Sequence, residues 1–300
     1  MKLLEKIAVL ARDNPGYAAL TGLTDALDYS SLMDEVKKVT TCLKEQGLQV
    51  IGLDADNTPS WVVIDLAALN ANVCLVPLPP FFSAQQLQHA MQHAGIEGIF
   101  TDNPAKLLAR TGNLNTSGSE SLHVAGKKLS LIQTGISPRP LPDGVVKVTY
   151  TSGTTGEPKG VMLTGEQIQT VVDSLSDAVK PLPGDRHLPL MPLAVLLENL
   201  AGVYVSLFAG ANTVLPGLAA VGLTGSVGLD AIAMLAIIER CRPSTLIMTP
   251  QLLQALIEVS ADQVHILESL RFIALGGAPV SRSLLDKAEA LKIPVYEGYG

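Results

Sequence analysis

The sequence predicts an α/β fold in which parallel strands are covered by helices. Short apolar runs alternate with amphipathic helical patterns along nearly all of the 300 residues, and this alternation is typical of strand–helix–strand units. Hydrophobic residues make up 47% of the chain and charged residues 16%, which excludes an intrinsically disordered protein. A chain of this length buries about three quarters of its unfolded surface, so we expect a large core.

The elements of the first half begin and end at recognisable signals. Pro59 marks a helix start, and Gly47 and Gly95 mark helix ends. Apolar residues at helical spacing predict a surface helix over 3–11 rather than a signal peptide. The remaining patterns predict helices over 32–46, 59–69 and 84–93, strands over 50–53, 73–78 and 96–101, a polar surface loop over 111–126 and a proline-rich break over 138–143.

The second half continues the same alternation. It predicts strands over 145–150, 245–249, 270–275 and 294–296, and helices over 230–240, 251–259 and 281–291. Ligands of parallel sheets bind beyond the carboxyl ends of the strands. The loops that follow these four strands are therefore the places where we expect functional residues.

The charge distribution argues against nucleic acid as the main partner. The chain has 21 basic and 28 acidic residues, giving a net charge of −7. Its basic runs, such as Lys37-Lys38, are no longer than two residues, so there is no electrostatic footprint for a phosphate backbone. A small anionic ligand needs only a local positive site and remains compatible with this balance.

Cysteine usage and hydropathy bear on the cellular compartment. Cys42, Cys74 and Cys241 are far apart and have no metal-type spacing, which indicates buried thiols in a reducing, cytoplasmic environment. The most apolar region, 188–223, contains Glu198 and several glycines. We predict buried helix and strand there and no membrane span, although a span stays open as the alternative.

A glycine- and hydroxyl-rich loop after the strand over 145–150 carries the strongest functional signal. Its glycines allow successive backbone N–H groups to converge on an anion, and Lys159 adds a positive charge. A flexible linker is the alternative, but Pro158, Lys159 and Gly160 follow at fixed offsets. The residues that we assign to polyphosphate binding are Thr151, Ser152, Gly153, Thr154, Thr155, Gly156 and Lys159.

The segment 150–164 resembles the signature of the adenylate-forming superfamily, which comprises acyl-CoA synthetases, luciferases and adenylation domains of peptide synthetases. The segment 67–77 looks like an early strand of that family. This resemblance covers essentially the whole chain and is strongest to fatty acyl-CoA synthetases. It implies that ATP with Mg²⁺ activates a carboxylic acid to acyl-AMP, with release of pyrophosphate, and that the acyl group then passes to coenzyme A.

The resemblance also implies an adenine site near the end of the chain. Glycines at a strand end let the backbone approach a flat ring, and the aromatic face of Tyr299 can stack on it. An ordinary strand–loop–helix turn is the alternative for the Gly-Gly-Ala-Pro segment. The residues implied for this site are Gly276, Gly277, Ala278, Pro279, Glu297, Gly298, Tyr299 and Gly300.

An acyl pocket is implied near Pro192, Val195 and Glu198. The aliphatic run that contains Val195 favours a fatty or other apolar acid. Val195 stands where fatty-acyl relatives often carry histidine, which indicates an unusual substrate or reduced activity. Glu198 has an alternative interpretation, in which it caps or pairs within a buried helix.

The resemblance divides the chain into two sheet-containing subdomains, one over 48–178 and the other over 1–47 plus 179–300. The 300 residues lack the family's Thr-Glu pair, its ribose-binding aspartate and the small C-terminal domain with a catalytic lysine. We therefore assign no complete catalytic set and no metal ligand, and expect the isolated chain to be inactive or nearly so. Two alternatives are an acceptor carrier protein in place of coenzyme A, and a non-catalytic nucleotide-binding or interaction module.

Overall fold

The computed structural model describes residues 1–112, 114, 119–151, 158–224 and 228–298. Its strands are β1 Ala18–Gly22, β2 Ala26–Asp28, β3 Val50–Asp54, β4 Cys74–Pro77, β5 Gly98–Thr101, β6 Glu120–Val124, β7 Lys127–Gln133, β8 Val145–Thr151, β9 Lys159–Thr164, β10 Arg186–His187, β11 Asn212–Leu215, β12 Leu223–Thr224, β13 Gly228–Leu229, β14 Thr245–Met248, β15 Phe272–Leu275 and β16 Val295–Glu297.

The helices alternate with these strands, as the sequence predicts. They are α1 Lys2–Asp13, α2 Tyr29–Gln46, α3 Pro59–Ala71, α4 Ala84–Ala94, α5 Pro104–Thr111, α6 Gly165–Val179, α7 Val205–Ala209, α8 Ala231–Cys241, α9 Pro250–Ser260 and α10 Arg282–Ala290, together with a π-helix Glu198–Tyr204 and a 3₁₀-helix Val264–Ser269. The predicted ends at Gly47 and Gly95 are confirmed, since both residues adopt the left-handed conformation, with φ of 66° and 68°.

The longer strands form two seven-stranded sheets. Sheet I has the order β6-β7-β5-β3-β4-β8-β9, and sheet II has the order β16-β15-β14-β10-β11-β1-β2. Inner strands pair in parallel, which confirms the predicted parallel sheets, whereas β6, β7, β9 and β2 pair antiparallel at the edges. Helices fill the connections between parallel strands, as such crossovers require.

Helices cover both sheets, and one layer of helices is shared between them. Ile51 of β3 and Leu20 of β1 belong to the same buried cluster as residues of α2 and α3. Residues 59–69 of α3 are all buried, which is typical of a helix enclosed on every side. Separate clusters join α4 to sheet I and α8 and α9 to sheet II. The order of layers is helices, sheet I, helices, sheet II, helices.

The predicted loop over 111–126 is wrong in part. The helix α5 extends to Thr111, and β6 pairs with β7 in a hairpin whose turn is Ala125-Gly126. Both turn residues have positive φ, 49° and 77°, as a two-residue type I′ turn requires. The edge hairpin is polar on its exposed side, so its composition resembles that of a loop.

The two sheets draw on different parts of the sequence. Strands of sheet I lie within 50–164, and those of sheet II lie within 18–28 and 186–297. The helix α2, however, packs on α3 across the predicted boundary after residue 47. The exact subdomain limits, 48–178 against 1–47 plus 179–300, stay a prediction. Among the described residues, no helix is both long and apolar enough to cross a membrane.

Candidate functional site

The residues predicted to bind a nucleotide lie at the carboxyl ends of strands. Thr151 is the last residue of β8, Glu297 is the last residue of β16, and Gly276 follows β15 directly. The strand β8 is parallel to β4, and β16 is parallel to β15, so within each pair the carboxyl ends lie at the same edge of the sheet. These edges are where small-molecule sites of α/β proteins form.

A β-hairpin presents the predicted phosphate loop. Thr151 and Lys159 are register partners across β8 and β9, and both are exposed. The hydroxyl and ammonium groups therefore stand opposite each other where the loop leaves the sheet. The remaining loop residues assigned from the sequence, Ser152 to Gly156, lie outside the described residues.

The helix α4 supports this hairpin through two histidines that sequence reasoning did not single out. His89 Nε2 lies 3.1 Å from the carbonyl oxygen of Pro158. His93 Nδ1 lies 2.9 Å from the hydroxyl of Tyr150, and the two imidazole rings stack with centroids 5.5 Å apart. These contacts join α4 to β8 and to the residue that precedes β9. The i, i+4 spacing of the two histidines on a helix is the only signal that the sequence offers for them.

The described residues of the predicted adenine site lie together at the edge of sheet II. The backbone N–H of Gly298 donates to the carbonyl of Leu275 at 2.9 Å, which places Glu297 and Gly298 beside the loop 276–279. Gly277 has a φ of 81°, a conformation that favours glycine. A Cβ at Gly276 would lie 3.7 Å from the Leu197 side chain and from the carbonyl of Gly298. Tyr299 and Gly300 lie outside the described residues.

An apolar pocket of about 330 Å³ opens beside this edge. One wall is the face of sheet II, and the opposite wall comes from α6, the π-helix and α7. Phe272 and Tyr296 stack in the sheet wall with ring centroids 4.9 Å apart. Residues of the helical wall are Leu175, Ala178, Val179, Leu197, Ala201 and Val205. The volume is at the lower end of the range of small-molecule sites.

The three residues predicted for an acyl pocket do not lie in one cavity. Pro192 lines a larger cavity of about 750 Å³, and Val195 is half-buried. Glu198 is fully buried, and its carboxylate lies 2.8 Å from His187 Nε2. The neighbouring Leu197 instead borders the apolar pocket. Residues 192–198 thus run between the two cavities.

Glu198 belongs to a buried polar group at the inner end of the apolar pocket. His187 Nδ1 lies 3.1 Å from Thr245 Oγ1, and the backbone N–H of Met191 donates to Glu198 Oε2 at 3.2 Å. Burial raises the pKa of Glu198, although the hydrogen bond from His187 opposes this shift. The group joins β10, β14 and the π-helix, and His187 was not predicted to take part.

The larger cavity lies beyond the strand ends of both sheets. Two ion pairs occur at its sheet I side, Asp54 with Arg110 at 2.9 Å and Asp102 with Lys127 at 2.8 Å. Burial raises the pKa of Asp54 although Arg110 opposes this shift. Each of these carboxylates has a basic partner. Among the described residues, no group of three His, Cys, Asp or Glu side chains is arranged to hold a metal ion.

Comparisons with known proteins find relatives of this chain. A family model described as AMP-binding enzyme matches residues 7–300. Tyrocidine synthase 3 of Brevibacillus parabrevis is 25% identical over 283 residues, which are 92% of this chain and 4% of that protein. Long-chain-fatty-acid–CoA ligase 1 of Cavia porcellus is 28% identical over 209 residues, which are 58% of this chain and 30% of the ligase.

A solved structure has the same fold. O-succinylbenzoate Coenzyme A Synthetase from Bacillus subtilis, in complex with AMP, superposes with a TM-score of 0.75 at 20% identity, over 98% of this chain and 73% of that one. At this identity the likeness shows the fold alone. The chain spans less than a third of the two curated relatives.

Proposed function

Because the chain belongs to the AMP-binding enzyme family, we propose that it binds ATP and a fatty or other apolar carboxylic acid. As part of a full-length ligase it would join them as acyl-AMP with release of pyrophosphate. The acyl group would then pass to the thiol of coenzyme A, with AMP as the leaving group. The expectation that the 300 residues alone form little acyl-AMP belongs to this proposal.

The observation that carries the proposal is the hairpin register of Thr151 and Lys159. It places a hydroxyl and a cation opposite each other at the two ends of the glycine-rich segment 152–158 of the sequence. A phosphate group favours this combination, because hydrogen bonds between charged partners are stronger than those between neutral groups. Two contacts hold the hairpin against α4: His89 of α4 with the Pro158 carbonyl, and the Tyr150 hydroxyl with the Ala90 carbonyl of α4.

The edge of sheet II supports binding of a flat base. Gly276 and Gly277 leave the backbone open to close approach, and among the described residues the nearest side-chain atom to a Cβ built at Gly276 is that of Leu197 at 3.7 Å. Glu297 and Gly298 border the same edge and are exposed. These residues fit an adenine, with Tyr299 next in sequence to supply an aromatic face.

The apolar pocket supports the proposal that the substrate is an apolar acid. It begins at Glu297 and Gly298 and extends between Ala201 and Ala274, whose small side chains leave it open. Burying each CH₂ group of a ligand there contributes about 0.8 kcal/mol. Affinity should therefore rise with chain length until the pocket is filled.

The chain's own residues would bind and orient the reactants. ATP supplies the phosphoanhydride bond whose cleavage drives carboxylate activation, and Mg²⁺ would offset its charge. Lys159 would lie against the polyphosphate and counter its negative charge, while Thr151 would donate a hydrogen bond. Holding the two reactants in one orientation accounts for much of the rate in such transfers.

A carrier protein is the second candidate acceptor. The peptide synthetase relative aligns with 92% of this chain, whereas the fatty acid ligase aligns with 58%. Both acceptors present a thiol, so the nucleotide and acid sites are common to the two candidates. A non-catalytic binding module shares the nucleotide site as well and differs in making no acyl-AMP. An assay of the full-length protein with coenzyme A and with a carrier protein distinguishes all three.

Calorimetric titration of the 300-residue chain tests the proposal. We expect Mg·ATP and octanoyl-sulfamoyladenosine, a non-hydrolysable acyl-AMP mimic, to bind. Lys159→Ala should weaken Mg·ATP binding roughly tenfold or more, because hydrogen bonds to charged groups contribute about 1.5–3 kcal/mol. The matched control is Lys128→Ala, an exposed lysine on β7, which should bind as wild type does. A folded chain that binds neither ligand would contradict the proposal.

A further inference from the structure

A fully buried ion pair lies beneath the strand that leads into the phosphate loop. Lys147 is on β8 and Asp65 is on α3, and both side chains are 0% exposed. The ammonium nitrogen is 2.8 Å from Asp65 Oδ1. Replacing such a pair by apolar residues of similar volume is often neutral or stabilising, so stability alone does not account for these two buried charges.

Two further side chains complete a hydrogen-bonded network around this pair. Lys147 Nζ donates to Asp65, to the Tyr204 hydroxyl at 3.0 Å and to Asn199 Oδ1. Its three N–H donors therefore have three acceptors. Asp65 Oδ2 accepts from Tyr204 and from Asn199 Nδ2, both at 2.8 Å. Such closed polar networks fix one arrangement of the elements that contribute to them.

The network joins the two halves of the proposed site. Side chains alternate along a strand, so Lys147 lies on the same face of β8 as Thr151, where the phosphate loop begins. Asn199 and Tyr204 belong to the π-helix, whose Ala201 lines the apolar pocket. The network therefore sets the position of the phosphate-loop strand relative to the pocket wall.

We propose that Lys147, Asp65, Asn199 and Tyr204 are positioning residues that align the nucleotide half of the site with the acid half. None of them needs to touch a ligand. The inference rests on the proposed function, because it assumes that both halves are occupied at once. Errors of about 1 Å in such alignment are enough to impair a site that must hold two reactants together.

The test separates alignment from stability. Lys147→Met leaves Asp65 buried without its cation, so we expect a lower melting temperature. Adding Asp65→Asn removes the second charge, and the double variant should melt near the wild type. The double variant should bind Mg·ATP and octanoate with dissociation constants within twofold of those of the wild type. It should bind octanoyl-sulfamoyladenosine at least tenfold more weakly than the wild type does, because only this mimic spans both halves of the site. Lys128→Met, which removes an exposed lysine, is the matched control.

Each outcome of this experiment supports or overturns the inference. A folded double variant that binds the mimic as tightly as wild type overturns the inference. If the double variant does not fold, Tyr204→Phe replaces it, since this change removes only the hydroxyl that Lys147 and Asp65 contact. We then expect about threefold weaker mimic binding with Mg·ATP binding unchanged, and unchanged mimic binding overturns the inference. Failure of the wild-type chain to bind the mimic instead overturns the proposed function on which it rests.

Discussion

At the scale of single residues, Glu198 shows how burial changes the chemistry of a carboxyl group. Its side chain is 0% exposed and contacts His187 and the backbone of Met191. Desolvation disfavours the charged form, so the pKa of Glu198 is raised above its ordinary value of 4.5. The folded protein therefore holds this proton at pH values where the unfolded chain has lost it.

This difference makes stability depend on pH. Above pH 4.5, the ordinary pKa of glutamate, the unfolded chain loses the proton while the folded chain keeps it, so the free energy of unfolding falls as pH rises to the raised folded pKa. Glu198→Gln removes the titration. We expect the variant to gain stability relative to wild type as pH rises from 4 to 7, measured by urea unfolding. Glu239→Gln, at an exposed position of α8, is the control, and equal pH profiles for wild type and Glu198→Gln would contradict the assignment.

The sequence identifies site residues only where they form local motifs. Thr151, Lys159 and the loop 276–279 stand out because glycines, hydroxyls and a cation are contiguous there. His187 and Lys147 give no such signal, because their partners are more than ten residues away. A buried lysine in an apolar strand pattern is a visible anomaly, but its partner follows only from the packing of α3 and the π-helix on β8.

At the scale of elements, the π-helix Glu198–Tyr204 explains why this segment carries so many contacts. A wider helical turn shifts side chains off the regular helical spacing, and such turns are frequent at functional sites. Gly202 lies within it, and a Cβ there would be 2.4 Å from His187 Nε2 and 2.5 Å from Glu198 Oε1. The close approach of β10 to this helix therefore requires glycine.

We expect Gly202→Ala to destabilise the fold by about 1–3 kcal/mol, because overpacking a filled interior costs that much. Urea unfolding measures the loss. The matched control is Gly165→Ala at the first position of α6, where an added Cβ meets nothing within 4 Å; it should be neutral or stabilising by about 0.4–1 kcal/mol. A Gly202→Ala protein as stable as wild type would show that His187 and Glu198 move apart freely.

The edge strand β6, which was predicted as loop, was missed for a physical reason. The strand β6 is exposed along most of its length, and edge strands of this kind lack the apolar alternation that marks an inner strand. Its register is fixed instead by five pairs with β7. The inner strand β3, with all five residues buried, was predicted within one residue because burial on both faces leaves a continuous apolar run.

At the scale of the whole molecule, the apolar pocket is a product of the layered fold. Its walls come from α6, the π-helix, α7 and four strands of sheet II, β10, β14, β15 and β16, which are far apart in the sequence. The alternation of strands and helices predicted the layers. It could not predict which small side chains would face each other across them, and Ala201 and Ala274 gave no signal before the structure.

The pocket should set the length of acid that the protein accepts. Ala201→Leu adds apolar volume to its helical wall, so we expect dodecanoyl-sulfamoyladenosine to bind roughly tenfold more weakly, since losing the space of two CH₂ groups costs about 1.6 kcal/mol. Acetyl-sulfamoyladenosine, which leaves most of the pocket empty, should bind the variant as it binds wild type. Ala8→Leu, on the exposed side of α1, controls for added apolar surface. Equal loss for both mimics would indicate general damage, and no loss for either would place the acid elsewhere, with the larger cavity beside Pro192 as the next site to test.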